Sequence, residues 1–100
     1  MATFDDREKS FESKFAHDEE FEFKVTARRN RLLGLWAAEL MGLKGADSEA
    51  YAQDVIASDF DRTGDEDVFE KVWTDLQAKA PDISEHRLRR QMEELRTAAR

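Results

Sequence analysis

Five acidic side chains, a threonine and a glycine in the middle of this 100-residue chain fall on a metal-binding spacing. Asp59, Asp61, Thr63, Gly64, Asp65, Asp67 and Glu70 occupy positions 1, 3, 5, 6, 7, 9 and 12 of a calcium-binding EF-hand loop. Hard oxygen donors around a glycine that allows a sharp turn are what calcium requires. Two features weigh against it. Position 8 is Glu66, where an EF-hand keeps an aliphatic residue to pair with a second hand, and the sequence has no second loop. The same residues also read as punctuation: Gly64 stops one helix, Asp65 caps the next, and Glu66 and Asp67 favour its N-terminal dipole.

Other chemistry is sparse. His17 and His86 are the only imidazoles, and neither sits in an H-E-x-x-H or E-x-x-H pair. His17 stands beside Asp18, Glu19 and Glu20, a setting for a pH switch or for an ordinary surface histidine. Arg28, Arg29 and Arg31 make one basic patch; His86, Arg87, Arg89, Arg90 and Arg96 make another. Such runs are solvated faces, partners for nearby acids, or phosphate contacts. There is no Gly-rich phosphate loop and no G-x-S-x-G elbow. The residues therefore point to a protein that is not an enzyme and needs no cofactor.

Binding is a better theme. Phe4, Phe11 and Phe15 lie on an otherwise charged stretch, and at helical spacing they fall within about 20° of one line. This ridge either folds back onto its own bundle or anchors the helix in a partner's groove. Three buried phenylalanines contribute roughly 5–9 kcal/mol gross. Ordering some fifteen backbone residues costs about 1–2 kcal/mol each. The ridge alone does not cover that, so charged contacts from Arg7, Glu8, Glu12 and Lys14 would have to add to it.

The elements that position these residues are helices. Apolar residues are 40% and charged residues 39%, with one proline and four glycines, which favours one all-α domain. One long pattern runs from Thr3 to Leu43. Its half from Phe21 to Met41 carries Phe21, Val25, Leu32, Leu33, Trp36, Ala37, Leu40 and Met41 as a core stripe, ended by Gly42 and Gly45. Asp5–Lys9 and Glu20–Lys24 are i,i+4 pairs. A second helix starts near Asp47 or Ser48, buries Tyr51, Val55, Ile56 and Phe60, and stops at Gly64. A third opens at Asp65 and buries Val68, Phe69, Val72, Trp73 and Leu76 before Pro81. A fourth begins at Ser84 and buries Leu88, Met92, Leu95 and Ala99. Helices two to four are too short to cover the first, whose Thr3–Met41 part at about 1.5 Å per residue would span roughly 57 Å. The expected fold is a four-helix bundle over 20–100 with a mobile or extended helical arm over 1–19, disordered in part or whole when alone.

The net charge of −7 disfavours nucleic acid or an anionic membrane as partner. The absence of cysteine fits a reducing compartment. The run Leu32–Leu43, broken by Glu39, is too short to span a bilayer, and Asp5 and Asp6 stand where a signal peptide would be basic. A cytoplasmic monomer is expected.

The run Thr3-Phe4-Asp5-Asp6-Arg7-Glu8, with Phe11-Glu12 and Lys14-Phe15-Ala16-His17-Asp18-Glu19-Glu20, resembles the N-terminus of the ζ subunit of α-proteobacterial F-type ATP synthases. Ala27-Arg28-Arg29-Asn30 and Leu32-Leu33-Gly34-Leu35-Trp36-Ala37-Ala38-Glu39 are similar to the same family. Looser likeness continues through Glu49-Ala50-Tyr51-Ala52, Asp59-Phe60 and Gly64-Asp65-Glu66-Asp67-Val68-Phe69, while the basic end from Arg96 to Arg100 departs from it. The resemblance implies an inhibitor whose N-terminal segment enters an α/β catalytic interface against the γ stalk, blocking hydrolytic rotation while permitting synthesis. It implies the α, β and γ subunits as partners, and a peripheral position on the membrane-bound synthase head. Phe4, Arg7, Glu8, Phe11, Glu12, Lys14, Phe15 and His17 are then the partner-binding set. The competing expectation is a calcium- or nucleotide-responsive helical binding module, with Asp59, Asp61, Thr63, Asp65, Asp67 and Glu70 as candidate metal ligands.

Overall fold

The computed structural model describes the backbone of residues 4–60 and 64–100, and the side chains of 19–60 and 64–100. Four helices follow in order: α1 (Phe4–Leu40), α2 (Ala46–Ala57), α3 (Glu66–Lys79) and α4 (Glu85–Ala99). There is no strand among the described residues. α1 is the spine. It touches each of the other three, α3 also touches α2 and α4, and α2 and α4 do not meet.

The helix ends follow local chemistry. Gly42, with φ 81°, closes α1. The Gly42 amide donates to Glu39 O at 3.1 Å and the Leu43 amide to Ala38 O at 2.9 Å, the paired bonds of a Schellman stop. Ser84 caps α4, its hydroxyl oxygen accepting from the Arg87 amide at 3.0 Å. Two expected boundaries move. α2 begins at Ala46 after Gly45 with no side-chain cap, so Asp47 sits in its first turn instead of capping. It also stops at Ala57, well short of Gly64. The Ser58 hydroxyl bonds back to Val55 O at 2.6 Å, and the Asp59 carboxylate accepts from Asn30 Nδ2 at 3.1 Å, which pulls the chain out of the helix and onto α1.

The core joins Leu33, Ala37 and Ala38 of α1 to Tyr51 and Val55, to Val68, Phe69, Val72 and Leu76, and to Leu88 and Met92. At Gly34 the backbones of α1 and α2 come so close that an added Cβ would stand 2.6 Å from Ala52 Cα. The core stripe of α1 starts later than its periodicity predicts. Among the described side chains of α1, Val25 is the first fully buried; Phe21 is 43% exposed and Phe23 63%. Phe60, expected on the buried stripe of α2, is 83% exposed because α2 has ended before it.

Candidate functional site

The backbone of α1 runs as a single helix of 37 residues. At about 1.5 Å per residue that is roughly 55 Å, against a long dimension of 62 Å for the whole molecule. The longest other helix, α4, has 15 residues. The side chains of Phe4, Arg7, Glu8, Phe11, Glu12, Lys14, Phe15 and His17, with the expected order or disorder of the segment that carries them, lie outside the described side chains. The pair Asp5–Lys9 lies there too. What the structure gives in detail is the root of that segment.

At the root, α4 ends against α1. Glu22 accepts from Arg96 Nη2 at 3.1 Å and from Arg100 Nη2 at 3.2 Å. Arg96 also donates to Thr26 Oγ1 at 3.3 Å, and Arg28 Nη1 donates to Ala99 O at 3.4 Å. The expected i,i+4 pair forms: Lys24 Nζ lies 3.7 Å from Glu20 Oε1, both well exposed. Glu22 stands close to a whole number of helical turns from positions 4, 11 and 15 of the sequence, being eighteen, eleven and seven residues past them.

The acidic loop is tied to α1. Arg29, which is 1% exposed, donates through Nε to Asn30 Oδ1 at 2.8 Å and through Nη2 to Asp65 Oδ1 at 2.9 Å. Asn30, equally buried, passes the link on to Asp59. The hydrogen bond from Arg29 holds the Asp65 carboxyl below the usual carboxylate range, against a partial burial that pushes the other way. Asp65 occupies the cap position of α3, but its side chain makes no cap bond because Arg29 takes it. Of the candidate metal ligands, Asp61 and Thr63 lie outside the described residues. Asp59 and Asp65 are engaged as above, Asp67 is half-buried and Glu70 exposed. Among the described residues, no three His, Cys, Asp or Glu side chains are grouped to hold a metal ion.

The two basic patches resolve into pairs. Arg31 holds Glu49 through bonds of 2.8 and 2.9 Å. Arg89 donates to Glu66 at 3.0 Å and Glu85 at 3.3 Å while lying 3.8 Å over the Phe69 ring. Arg90 pairs with Glu94 at 3.2 Å, and Arg87 lies 5.8 Å from the Trp36 ring centre. A cleft of about 610 Å³ between the Gly64–Glu66 turn and α4 is edged by Arg29, His86, Arg89, Arg90 and Arg96. Arg29, Arg89, Arg90 and Arg96 already face carboxylates without a ligand.

Local pattern offers no sign of the links from Arg29 to Asp65 and from Asn30 to Asp59, which join residues 36 and 29 positions apart. The one available signal is an asparagine and an arginine lying next to each other just before the apolar run from Leu32. The Tyr51 hydroxyl donating to Asp75 at 2.8 Å, with Lys71 on the same carboxylate at 2.9 Å, is a second network that periodicity passes over.

No helix of the described residues is long and apolar enough to cross a membrane. Among curated proteins, no sequence matches the chain. A solution NMR structure of a protein 44% identical to this chain matches it with a TM-score of 0.70, over 78% of this chain and 88% of that one. A family model described as ATPase inhibitor subunit zeta matches residues 1–100, the whole chain. The chain thus belongs to the ATPase inhibitor subunit zeta family, as a non-catalytic regulatory protein that binds the ATP synthase.

Proposed function

We propose that residues 1–19 are the inhibitory arm and 20–100 the body that carries it. The arm enters an α/β catalytic interface of the ATP synthase head and meets the γ stalk, where it blocks rotation in the hydrolytic direction. Phe4, Phe11 and Phe15 are the apolar anchors. Arg7, Glu8, Glu12, Lys14 and His17 make the polar contacts around them. The body stays outside and limits how far the arm goes in, which keeps the protein peripheral to the membrane.

One observation supports this reading above others. α1 is one helix from Phe4 to Leu40, and among its described side chains, which start at Glu19, the first fully enclosed is Val25, with Phe21 and Phe23 exposed ahead of it. A helix seated in a groove buries one face, and a ridge of three aromatic positions in a single register is suited to that.

The test is ATP hydrolysis by the isolated catalytic head. Deleting residues 2–18 is expected to abolish inhibition. The thermal unfolding of the protein should change little, because among the described residues the core cluster starts at Leu33. Inhibition that survives the deletion rules out the arm.

A further inference from the structure

Of residues 19–24, just ahead of the buried Val25, Glu22 alone is not exposed. The end of α4 holds it. Arg96 Nη2 donates to Glu22 Oε2 at 3.1 Å and Arg100 Nη2 to Oε1 at 3.2 Å, so both carboxylate oxygens are taken. The Arg96 guanidinium also reaches Thr26 Oγ1 at 3.3 Å, one turn further along α1. The turn of α1 from 22 to 26 is thereby stapled to the chain at 96–100, across 74 and 78 positions of sequence. Among the described residues, no other side-chain bond ties 19–24 to the body. Lys24 pairs with Glu20 inside the same stretch.

The body does not need this staple to fold. Leu88, Met92 and Ala99 bury the inner face of α4, and partly exposed ion pairs add little to global stability. Its position is what sets it apart. Helix ends that nothing ties down open locally, and starting a helix is about a thousandfold less favourable than extending one. A turn fixed at 22–26 is a template from which α1 extends back toward Phe4, along a line that α4 sets. We propose that the Glu22–Arg96–Arg100 staple positions the inhibitory arm: it fixes the direction in which α1 leaves the body, and opening it uncouples the arm while the body stays folded. This rests on the arm reading above. Glu22 is then a positioning residue, acting through the helix and not by touching the ATPase head. All three side chains are partly exposed, so dissolved ions screen the staple and the coupling weakens as salt rises.

The experiment compares full-length Glu22→Arg, Arg100→Glu and the charge swap Glu22→Arg/Arg100→Glu as inhibitors of ATP hydrolysis by the isolated catalytic head. The swap restores one acid and two arginines to the cluster. Phe11→Ala/Phe15→Ala is measured beside them. Each single reversal should raise the half-inhibitory concentration about three- to tenfold, with thermal unfolding close to the parent's. If Glu22→Arg lowers the unfolding midpoint, Arg100→Glu decides, since that side chain is 57% exposed. The swap should recover most of the loss. In the free proteins, amides 19–24 should exchange faster in the single variants and near the parent's rate in the swap. Added salt should close the gap between the parent and the single variants, and a gap that salt leaves untouched overturns the staple. If both single variants weaken inhibition and the swap does not restore it, Glu22 and Arg100 touch the head themselves and the positioning role is wrong. If the single variants inhibit like the parent while the arm variant is weak, the staple is wrong and the arm stands. If the arm variant inhibits like the parent, the arm reading fails and the staple falls with it.

Discussion

Arg29 and Asp65 are joined by a 2.9 Å ion pair of unequal burial: the arginine side chain is 1% exposed and the aspartate 50%. The guanidinium has given up its water and relies on Asp65 and Asn30; the carboxylate has not. Removing the acid therefore does more harm than removing the base's surroundings would suggest. Breaking a fully buried pair costs about 3–5 kcal/mol, and solvent at Asp65 discounts that toward about 1.5–3 kcal/mol. Asp65→Ala is expected to lose stability in that range. Asp59→Ala removes only an acceptor for a neutral amide and should cost about 1 kcal/mol. Urea unfolding midpoints of the two variants should rank in that order, and equal midpoints would refute the asymmetry.

The same pair sets an acid limb. The Asp65 carboxyl is held below its ordinary value, first by the Arg29 hydrogen bond and then, less strongly, by the charges of Arg29 and Arg96. A depressed folded-state value means that the stabilisation is complete above the unfolded value of about 3.9 and is lost as pH falls through the folded one. The stability difference between parent and Asp65→Ala should be flat from neutral pH to about 5 and shrink below about 4. Chemical unfolding repeated across that range checks it. A difference that grows on acidification contradicts the assignment.

Tyr51 gives an alkaline counterpart with a direct readout, because it is the only tyrosine. Burial, followed by its hydrogen bond to Asp75 and the charges of Asp75 and Asp54, pushes its phenol far up. A raised value means that its stabilisation is present below the unfolded value near 10 and is lost as pH rises beyond it. Tyrosinate absorbance should be missing from the native protein at pH 10–11, and should appear together with loss of helix. Tyr51→Phe should cost about 0.5–1.5 kcal/mol at neutral pH. Phenolate absorbance titrating near 10 in a fully helical protein would disprove the buried bond.

Gly34 separates helix propensity from packing. A glycine in mid-helix is about 1 kcal/mol worse than alanine, so Gly34→Ala on an isolated α1 would stabilise. Here the new methyl meets Ala52 Cα at 2.6 Å, Ala52 Cβ at 3.2 Å and Val55 Cγ2 at 3.3 Å. Backbone does not step aside as a flexible side-chain end would, and overpacking costs about 1–3 kcal/mol. Gly34→Ala should therefore lower the thermal midpoint. A rise would mean that the α1–α2 contact is looser than described.

How far the sequence can be read depends on the range of the interaction. Ser84, Gly42 and the stripe from Val68 to Leu76 declare themselves because the cap, the left-handed stop and the apolar face each depend on residues within a turn or two. Asp65 looks like a cap by the same local rule, and its carboxylate goes to Arg29 instead, a partner 36 positions away that spacing does not reveal. Arg29 itself reads as part of a basic surface beside Arg28 and Arg31 and turns out to be among the most buried residues. Phe21 and Phe60 fit an apolar period and stand in solvent, since periodicity says which face a ring takes and not where the covering helix ends. The EF-hand spacing has the converse weakness. It describes ligand order along the chain, while Asp59 and Asp65 are turned toward Asn30 and Arg29.

Glu22 marks where the body ends and tests that boundary. It receives Arg96 from the last turn of α4 and Arg100 just beyond it, but all three side chains are partly exposed, with Glu22 at 44%. Exposed pairs contribute about 0–1 kcal/mol, so Glu22→Ala should leave global stability almost unchanged. The local effect should be larger. Without that carboxylate, the α4 end keeps the Arg28 bond to Ala99 O, the Arg96 bond to Thr26 and the burial of Ala99 to hold it on α1. Amides from 96 to 100 should then exchange several-fold faster, while those of Leu88 and Met92 in the core keep the parent's rate. Uniform acceleration along α4 would show that the pair supports the whole helix, and unchanged exchange at the end would show that it supports nothing.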